Sequence, residues 1–230
     1  MQYLYELHLH TAESSLCGKV SGAAHARYYQ ALGYDGICVT DHFLNGNAVR
    51  FPHLPWREQI DRFEAGYLAA KAEGERIGLK VFFGWENSID SGAHLLTYGP
   101  DADFLRAHPE IMTLPFPEYA ALVHAHGGVI IQAHPFRLAS YVKVLQLDPR
   151  STDAVEVDNA CNDERANRLA AYYAEQFGLP AAAGSDNHTD RLDRYAAVAS
   201  PVALDSIGRL MRAILDGKTE NVSVYPRKNP

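Results

Sequence analysis

Cysteine is scarce in this sequence of 230 residues: it occurs three times, at Cys17, Cys38 and Cys161. The number is odd and no CxxC spacing occurs, which argues against a disulfide framework and against a zinc ribbon.

Long apolar runs are also missing, so no membrane-spanning helix is predicted. Met1–Tyr3 leads into a strand-like run without a signal-peptide pattern, and we therefore expect a soluble, cytoplasmic protein with no membrane partner.

Positive charge is in short supply as well. The chain has 21 Lys and Arg against 28 Asp and Glu, a formal net charge of −7, and a pI of about 5.8. The basic residues are scattered, whereas a dedicated nucleic-acid binder would carry a basic face. The composition still allows a small phosphorylated substrate, because bound metal ions can attract one. It leaves the oligomeric state open.

Histidine, by contrast, is abundant, with eleven residues. Two of them lie in the first predicted strand, Tyr3–His10, where Leu7 and Leu9 alternate with His8 and His10. Successive side chains of a strand point to opposite faces, so the two imidazoles share one face. Two imidazoles on one face can bind the same metal ion.

Later strand-like runs also end on His, Asp or Glu. Further strands are predicted at 36–40, 80–86, 94–98, 129–133, 154–159, 180–184 and 195–199, and helices at 23–32, 56–77, 101–108, 117–126, 140–147, 162–177 and 204–215. The polar strand ends are His8, His10, Asp41, His42, Glu86, His134, Glu156, Asp186 and His188. Helix capping could explain one or two of them but not this recurrence. Alternating strands and helices predict a parallel sheet, and convergence of the strand ends on one metal site favours a closed barrel.

The motifs in order resemble a known family. They are Glu6–Thr11, Thr40–His42, Gly84–Glu86, His94–Gly99, Ala133–Pro135 and Gly184–His188, and they are similar to those of the PHP family, the polymerase and histidinol phosphatase domain. The resemblance implies an α/β fold, a distorted (β/α)7 TIM-like barrel with the metal site at the carboxyl ends of its strands. It further implies one domain over residues 1–230, two or three zinc, manganese or iron ions, and hydrolysis of phosphoesters.

The resemblance also implies roles for individual residues. His8, His10, Glu86 and Asp186 would hold one ion; Glu86 would bridge to a second, held by His94 and His134; His42 and His188 would hold a third; and Glu86, Asp186 and His188 would be catalytic. The sequence departs from the family where a third-site ligand follows the HxH pair, since Ser14, Ser15 and Leu16 stand there. Glu13 is our candidate for that ligand, and Cys17 is the other possible donor, because a thiolate suits zinc.

The predicted function is therefore that of a metal-dependent phosphoesterase acting on a small phosphorylated metabolite. Arg137 could bind a phosphate bidentately or form a surface salt bridge, and Lys19 and Arg194 are further candidates for substrate binding. Glu156 and Asn159 could orient ligands from behind the site. Two alternatives stay open: an amidohydrolase-type enzyme that cuts C–N bonds, although no lysine ends a strand, and a nuclease-type phosphodiesterase, although a basic groove is missing.

Overall fold

A mixed sheet forms the centre of the computed structural model, which describes residues 2–226. The strands in this part of the chain are β1 Tyr3–Glu6, β2 Gly36–Val39, β3 Lys80–Ser88, β4 His94–Tyr98, β5 Val129–Ala133, β6 Ala154–Asn159, β7 Ala181–Gly184, β8 Tyr195–Ser200 and β9 Glu220–Val224. The helices are α1 Gly22–Ala31, α2 Trp56–Phe63, α3 Ala65–Ile77, α4 Ala102–Ala107, α5 Phe116–Ala125, α6 Glu164–Phe177 and α7 Ile207–Leu215, with a 3₁₀ helix at Pro109–Met112. None of these helices combines the length and the apolar character needed to cross a bilayer.

The sheet curls until it is nearly a closed barrel. Its strand order is β7-β6-β5-β4-β3-β2-β1-β8-β9, and the segments that follow β1 and β7 meet. There the His10 amide donates to the carbonyl of Asn187 at 2.9 Å, and the Asn187 amide donates to the carbonyl of His8 at 3.2 Å. Strands β8 and β9 continue the sheet as an antiparallel extension beside β1. The prediction of an α/β, barrel-like architecture is therefore confirmed.

The expected count of seven βα units is not found, because residues 2–226 contain nine strands. Strand β4 runs antiparallel to both of its neighbours, β3 and β5, so a hairpin replaces one helical crossover. The helix predicted at 140–147 is also wrong, since this segment is a loop. The amides of Lys143 and Val144 donate to the Ser91 carbonyl in the β3–β4 turn, so they are not available for the i to i−4 bonds of a helix.

The first strand is shorter than predicted. Its pairing with β2 ends at Glu6, and Leu9 makes only a single bridge, to Asn187. The alternation nevertheless persists beyond the strand, with Leu7 and Leu9 packed in separate apolar clusters of the core. The predicted helix 56–77 is interrupted at Glu64, where α2 ends and α3 begins.

One glycine of α3 allows this helix to lie directly against the loop after β1. A Cβ atom on Gly66 would be 1.9 Å from Thr11 Oγ1, so any larger residue would push α3 away. The sequence alone suggests a weak point of the helix at this position. The structure shows instead a close approach between helix and loop, which fixes the loop that carries Ser15 and Cys17.

Candidate metal centre

Eight of the nine predicted metal ligands converge at the carboxyl end of the barrel. They are His8, His10, His42, Glu86, His94, His134, Asp186 and His188. All are buried except His188, which is half-buried. They come from the ends of β1, β2, β3, β5 and β7 and from the start of the antiparallel β4, so the closure of the sheet brings together residues that are far apart in sequence.

Glu86 lies at the centre of this cluster. Its two carboxylate oxygens are 2.5–3.6 Å from imidazole nitrogens of five histidines, namely His8, His10, His42, His94 and His134. Burial raises the pKa of Glu86, but the charges of His94, His42 and His8 more than offset this and hold it well below its usual range. The carboxylate is therefore ionised and lies among the imidazoles.

Asp186 supplies the second carboxylate. Its Oδ1 is 3.2 Å from His10 Nε2 and 3.4 Å from His8 Nε2. Among residues 2–226, Asp186 (φ 53°) and His134 (φ 29°) are the non-glycine residues with positive φ. Such a conformation is unfavourable by about 1–3 kcal/mol and tends to persist at functional sites, where the surrounding structure enforces it. Both residues are candidate ligands at strand ends.

Several ligand atoms in the described chain are buried without a hydrogen-bond partner: His8 Nε2, His10 Nε2, His42 Nδ1 and Glu86 Oε2. Even the 2.5 Å approach of His42 Nδ1 to Glu86 Oε2 lacks the geometry of a hydrogen bond. Buried polar atoms without partners are unfavourable, and metal ions bound in this cluster would satisfy all four. Nitrogen and carboxylate donors in this combination fit zinc, iron or manganese.

The way in which the ligands group differs in part from the grouping that the resemblance implies. Four sets have ligand atoms within 4.8 Å of one another: His8, His10 and Glu86; His42, Glu86 and His94; His8, His134 and Asp186; and His10, His42 and His188. His94 thus groups with His42, and His134 with His8 and Asp186, while His94 Nδ1 and His134 Nε2 both face Glu86 Oε1, at 2.8 and 3.1 Å. Glu86 belongs to two sets, as a bridging carboxylate would.

A second layer of residues orients the imidazoles. Glu156 Oε1 lies 2.9 Å from His8 Nδ1, which leaves His8 Nε2 facing the cluster. Ser15 Oγ lies 3.3 Å from His10 Nδ1 and donates to Asp41 Oδ1 at 2.6 Å. Such outer partners fix the ring orientation and the tautomer of a metal-binding histidine. Glu156 has the supporting position that we expected, and Asp41 and Ser15, for which we predicted no such role, join it there.

Glu6, the first residue of the Glu6–Thr11 motif, is a further supporting residue. Its carboxylate accepts from the amides of His8 and Ser185, both at 2.8 Å, and from the Ser185 hydroxyl. Burial raises the pKa of Glu6 to about 7, against the effect of these hydrogen bonds. It ties the end of β1 to the end of β7. The only signal in the sequence is a carboxylate inside an otherwise apolar and aromatic strand.

Glu13, our candidate for the third site, does not join the cluster. Its carboxylate accepts from the Gly22 amide at 3.1 Å, at the amino end of α1, where a negative charge is favourable. Cys17 of the same loop lines the cavity together with His42 and His188, although it belongs to none of the ligand sets found among the described residues. Burial raises the pKa of the Cys17 thiol, but hydrogen bonds with His188 and His42 lower it to about 6 overall.

A cavity of about 620 Å³ opens above the cluster. Arg137, Tyr141 and Lys143 line one wall, and Asn45 and Asn47 belong to the lining as well. The Tyr141 ring lies parallel to His94, at an interplanar angle of 4° and a centroid distance of 5.0 Å. Four of the predicted ligands, His42, His94, Asp186 and His188, thus line a pocket that also has cationic and aromatic residues in its walls.

The three basic residues proposed for substrate binding lie in different places. Arg137 borders the cavity and pairs with Asp186 Oδ2 through Nη1 at 2.5 Å, so it is not a surface salt bridge. Arg194 binds Asp158 at 2.8 Å and lines a separate groove. The exposed Lys19 is not among the lining residues. Lys143 was not predicted as a residue of the site, because it lies in the loop that we expected to be a helix.

Comparisons with known proteins give a family match and a shared fold. A family model described as PHP-associated matches residues 164–191, whereas a search of curated proteins found no match. A two-domain protein from Bacteroides vulgatus, described as containing a predicted PHP-like metal-dependent phosphoesterase, has a TM-score of 0.72 at 14% identity. The match covers 96% of this chain, and the chain spans 65% of that protein, slightly less than two thirds of its length.

Two other similar structures carry different names. An amidohydrolase from Chromobacterium violaceum with bound sulfate and no metal has a TM-score of 0.59 at 14% identity, over 94% of this chain and 97% of that one. The lesion-specific endonuclease EndoQ from Pyrococcus furiosus has a TM-score of 0.58 at 16% identity, over 96% and 58%. At this level of identity the likeness shows the fold. The family match and the shared fold together confirm the resemblance to the PHP family.

Proposed function

From the PHP-type fold and the buried ligand cluster, we propose that this chain is a single-domain metallohydrolase, a metal-dependent phosphoesterase that hydrolyses a small phosphorylated metabolite. The observation that carries the proposal is the position of Glu86. Its buried carboxylate faces five imidazoles, and several of the surrounding ligand atoms have no hydrogen-bond partner in the described chain. A purely structural role would leave these polar atoms unsatisfied in the interior, which is unfavourable.

The residues of this chain would divide the work between holding ions and binding substrate. The eight converging ligands would hold two or three zinc, manganese or iron ions, which, when bound, activate water near neutral pH and neutralise phosphate charge. Glu86 would hold two of these ions at a fixed spacing, and Asp186 would complete the ligand set of one of them. His188, whose side chain is 25% exposed, would face the substrate from the edge of the cavity.

The walls of the cavity suit a phosphorylated compound. The guanidinium of Arg137 is anchored by Asn162 through Nε at 2.7 Å and by Asn159 through Nη2 at 3.1 Å, and further N–H groups remain for phosphate oxygens. Lys143 adds a second positive charge on the same wall. Sulfate, which has the shape of phosphate, is bound in the structure of the Chromobacterium relative. The volume of about 620 Å³ lies in the range of sites for small molecules.

The named relatives define the alternatives. The endonuclease relative favours a nuclease-type phosphodiesterase as the second candidate, but the net charge of −7 and the bounded cavity favour a small substrate. An amidohydrolase-type reaction often uses a carboxylated lysine at a strand end, and no strand within residues 2–226 ends on a lysine.

Hydrolysis assays test the proposal directly. The chain would be stripped with a chelator and reloaded separately with Mn²⁺, Zn²⁺ or Fe²⁺. Each form would be offered p-nitrophenyl phosphate, sugar phosphates, nucleotides and histidinol phosphate, beside bis-p-nitrophenyl phosphate and duplex DNA with an abasic site. We expect release of phosphate from a monoester, lost in Glu86→Gln and retained in Glu164→Gln, a matched change at a side chain that is 94% exposed. Cleavage of DNA without turnover of any monoester would refute the proposal.

A further inference from the structure

The proposed reaction accounts for the phosphate of a substrate but leaves part of the cavity lining without a role. This part contains Asn47, Ser88, Asp90 and Tyr141. Asn47 and Asp90 are exposed and Ser88 is half-buried, so a ligand in the cavity can reach their side chains. The chemistry of these four residues therefore bears on the organic part of the substrate.

Tyr141 offers a flat apolar surface in this lining. One face of its ring is parallel to the ring of His94, at an interplanar angle of 4° and a centroid distance of 5.0 Å. The residue is nevertheless 43% exposed, and it lines the cavity. The face of an aromatic ring carries partial negative charge, which attracts C–H groups. A tyrosine ring that is stacked on one side is thus a platform for a ligand on its open side.

The backbone fixes the position of this platform. The Lys143 amide donates to the Ser91 carbonyl in the β3–β4 turn at 2.7 Å. In the same turn Gly92 has a φ of 86°, and a Cβ atom on it would be 2.2 Å from the Tyr141 carbonyl oxygen. Only a glycine allows the turn and the loop to come this close. The ring is therefore in place before a ligand binds, which lowers the entropy cost of binding.

Hydrogen-bonding groups continue the lining from this turn to the loop after β2. Asn45 joins the two segments, since its Oδ1 accepts from the Ser88 amide at 3.2 Å and its Nδ2 donates to the Ser88 carbonyl at 2.8 Å. These bonds engage the backbone of Ser88 and not its hydroxyl. Gly46 leaves room beside that hydroxyl, because a Cβ atom on it would be 2.8 Å from Ser88 Oγ. With Asp90 and Asn47, the lining offers a hydroxyl, a carboxylate and a carboxamide, which together can pair with several hydroxyl groups of a ligand.

We propose that the organic part of the substrate is a sugar ring, and hence that the substrate is a sugar phosphate. The C–H face of the sugar would pack on Tyr141, and its hydroxyl groups would bind Ser88, Asp90 and Asn47. A sugar presents both surfaces at once, whereas a nucleobase or an aliphatic chain has no row of hydroxyl groups. Lys143 and Asp90 carry opposite charges in this lining, which favours an uncharged polar group. The inference rests on the proposed function in placing the phosphate at the metal centre.

Matched phosphomonoesters test the ring platform. The Mn²⁺-loaded chain would be offered glucose 6-phosphate, fructose 6-phosphate and ribose 5-phosphate, beside glycerol 3-phosphate, which has hydroxyl groups but no ring. We expect the highest kcat/KM for one of the sugar phosphates. Tyr141→Ala should lower the ratio of kcat/KM for that sugar phosphate to kcat/KM for glycerol 3-phosphate by about 2- to 12-fold, and Tyr141→Phe should restore the ratio. A disturbance of His94 would instead lower turnover of every ester and the metal content.

A second ratio tests the hydroxyl contacts. Cyclohexylmethyl phosphate keeps a ring but lacks hydroxyl groups. Ser88→Ala and Asp90→Ala should each lower the preference for the sugar phosphate over this ester by at least about 2- to 12-fold, the loss expected for one hydrogen bond. The control is Tyr172→Ala, at an α6 tyrosine that is 61% exposed, and it should change neither ratio. A ratio in Tyr141→Ala equal to that of the wild type, or turnover of cyclohexylmethyl phosphate as fast as that of every sugar phosphate, would overturn the inference.

Binding measurements separate this inference from the proposed function. Phosphonate isosteres of the same sugar phosphates and of cyclohexylmethyl phosphate cannot be hydrolysed, and their affinity would be measured by isothermal titration calorimetry. Tighter binding of a sugar phosphonate that weakens in Tyr141→Ala, in a chain that hydrolyses no monoester, would support the sugar site and refute the phosphoesterase. Hydrolysis of p-nitrophenyl phosphate with equal affinity for sugar and cyclohexyl phosphonates would have the opposite meaning, and a lack of both binding and turnover would overturn both.

Discussion

Replacing Glu156 by glutamine should weaken metal binding although the side chain keeps its size. Glu156 is 1% exposed, and its carboxylate is surrounded by three donors. Oε1 faces His8 Nδ1 at 2.9 Å, while Oε2 accepts from the His134 amide and from Asn159 Nδ2, both at 2.9 Å. A carboxylate can accept from all three groups, but an amide has one accepting oxygen and one donating nitrogen.

Either orientation of the new amide therefore leaves a conflict. If its oxygen faces His8, its NH₂ group meets the donors of His134 and Asn159. If its oxygen takes those two donors, its NH₂ group faces His8 Nδ1 and forces the tautomer in which Nε2 carries the proton, so that His8 cannot bind an ion. Leaving a buried polar group unsatisfied costs about 1–3 kcal/mol, which corresponds to a loss of roughly 5- to 150-fold in affinity. This range is close to the loss of about 10- to 100-fold in metal affinity that is typical when an outer partner of a metal ligand is mutated.

The assay is a competition titration of Zn²⁺ or Mn²⁺ between the chain and a chromophoric chelator, with the exposed Glu164→Gln as the control. Thermal unfolding in the presence of chelator would show whether the metal-free fold is intact. An affinity of Glu156→Gln within about twofold of the wild type, which corresponds to less than about 0.5 kcal/mol, would refute the proposed role of this carboxylate.

Four further outcomes follow from the same geometry. Reconstituted protein should contain two or three ions per chain, and metal at about a thousandfold excess over Kd should raise Tm by roughly 8–16 °C; less than one ion by elemental analysis would contradict this. Glu86→Gln should lower kcat/KM by more than about 100-fold, the upper range for outer partners, and by more than His188→Ala does. Arg137→Ala should keep its metals, because the guanidinium competes with ions for a carboxylate oxygen of Asp186. It should nevertheless lose about 10- to 150-fold in kcat/KM, and Arg137→Lys should recover part of this loss. Steady-state kinetics of Arg137→Ala equal to those of Arg194→Ala would count against a phosphate contact. Gly184→Ala would place a Cβ 2.5 Å from the Cβ of His8. It should reduce the free energy of unfolding by about 1–3 kcal/mol, measured by chemical denaturation.

The sequence was sufficient to predict the barrel-like α/β architecture and eight of the residues that meet in the cluster. The reason is local. Strand periodicity places His8 and His10 on one face, and runs of apolar residues stop at polar residues where a strand ends. Once strand ends are assumed to meet at one end of a barrel, seven of these residues follow without knowledge of loops, whereas His94, at the start of a strand, follows only from the resemblance to the PHP family. The structure has nine strands in place of the expected seven βα units, but the ligands still meet. The β3–β4 hairpin brings His94 to the same end of the barrel as the others.

Tertiary structure alone decided which donor of the loop after β1 and which basic residues line the cavity. Glu13 and Cys17 are four residues apart in one loop, and the choice between them depends on contacts with distant segments, the amino end of α1 for Glu13 and the loop of His188 for Cys17. In the same way Arg194 is held by Asp158, while Arg137 and Lys143 reach the cavity through a loop fixed by the Ser91 carbonyl. Long-range hydrogen bonds determine these positions, and local residue patterns do not predict such bonds.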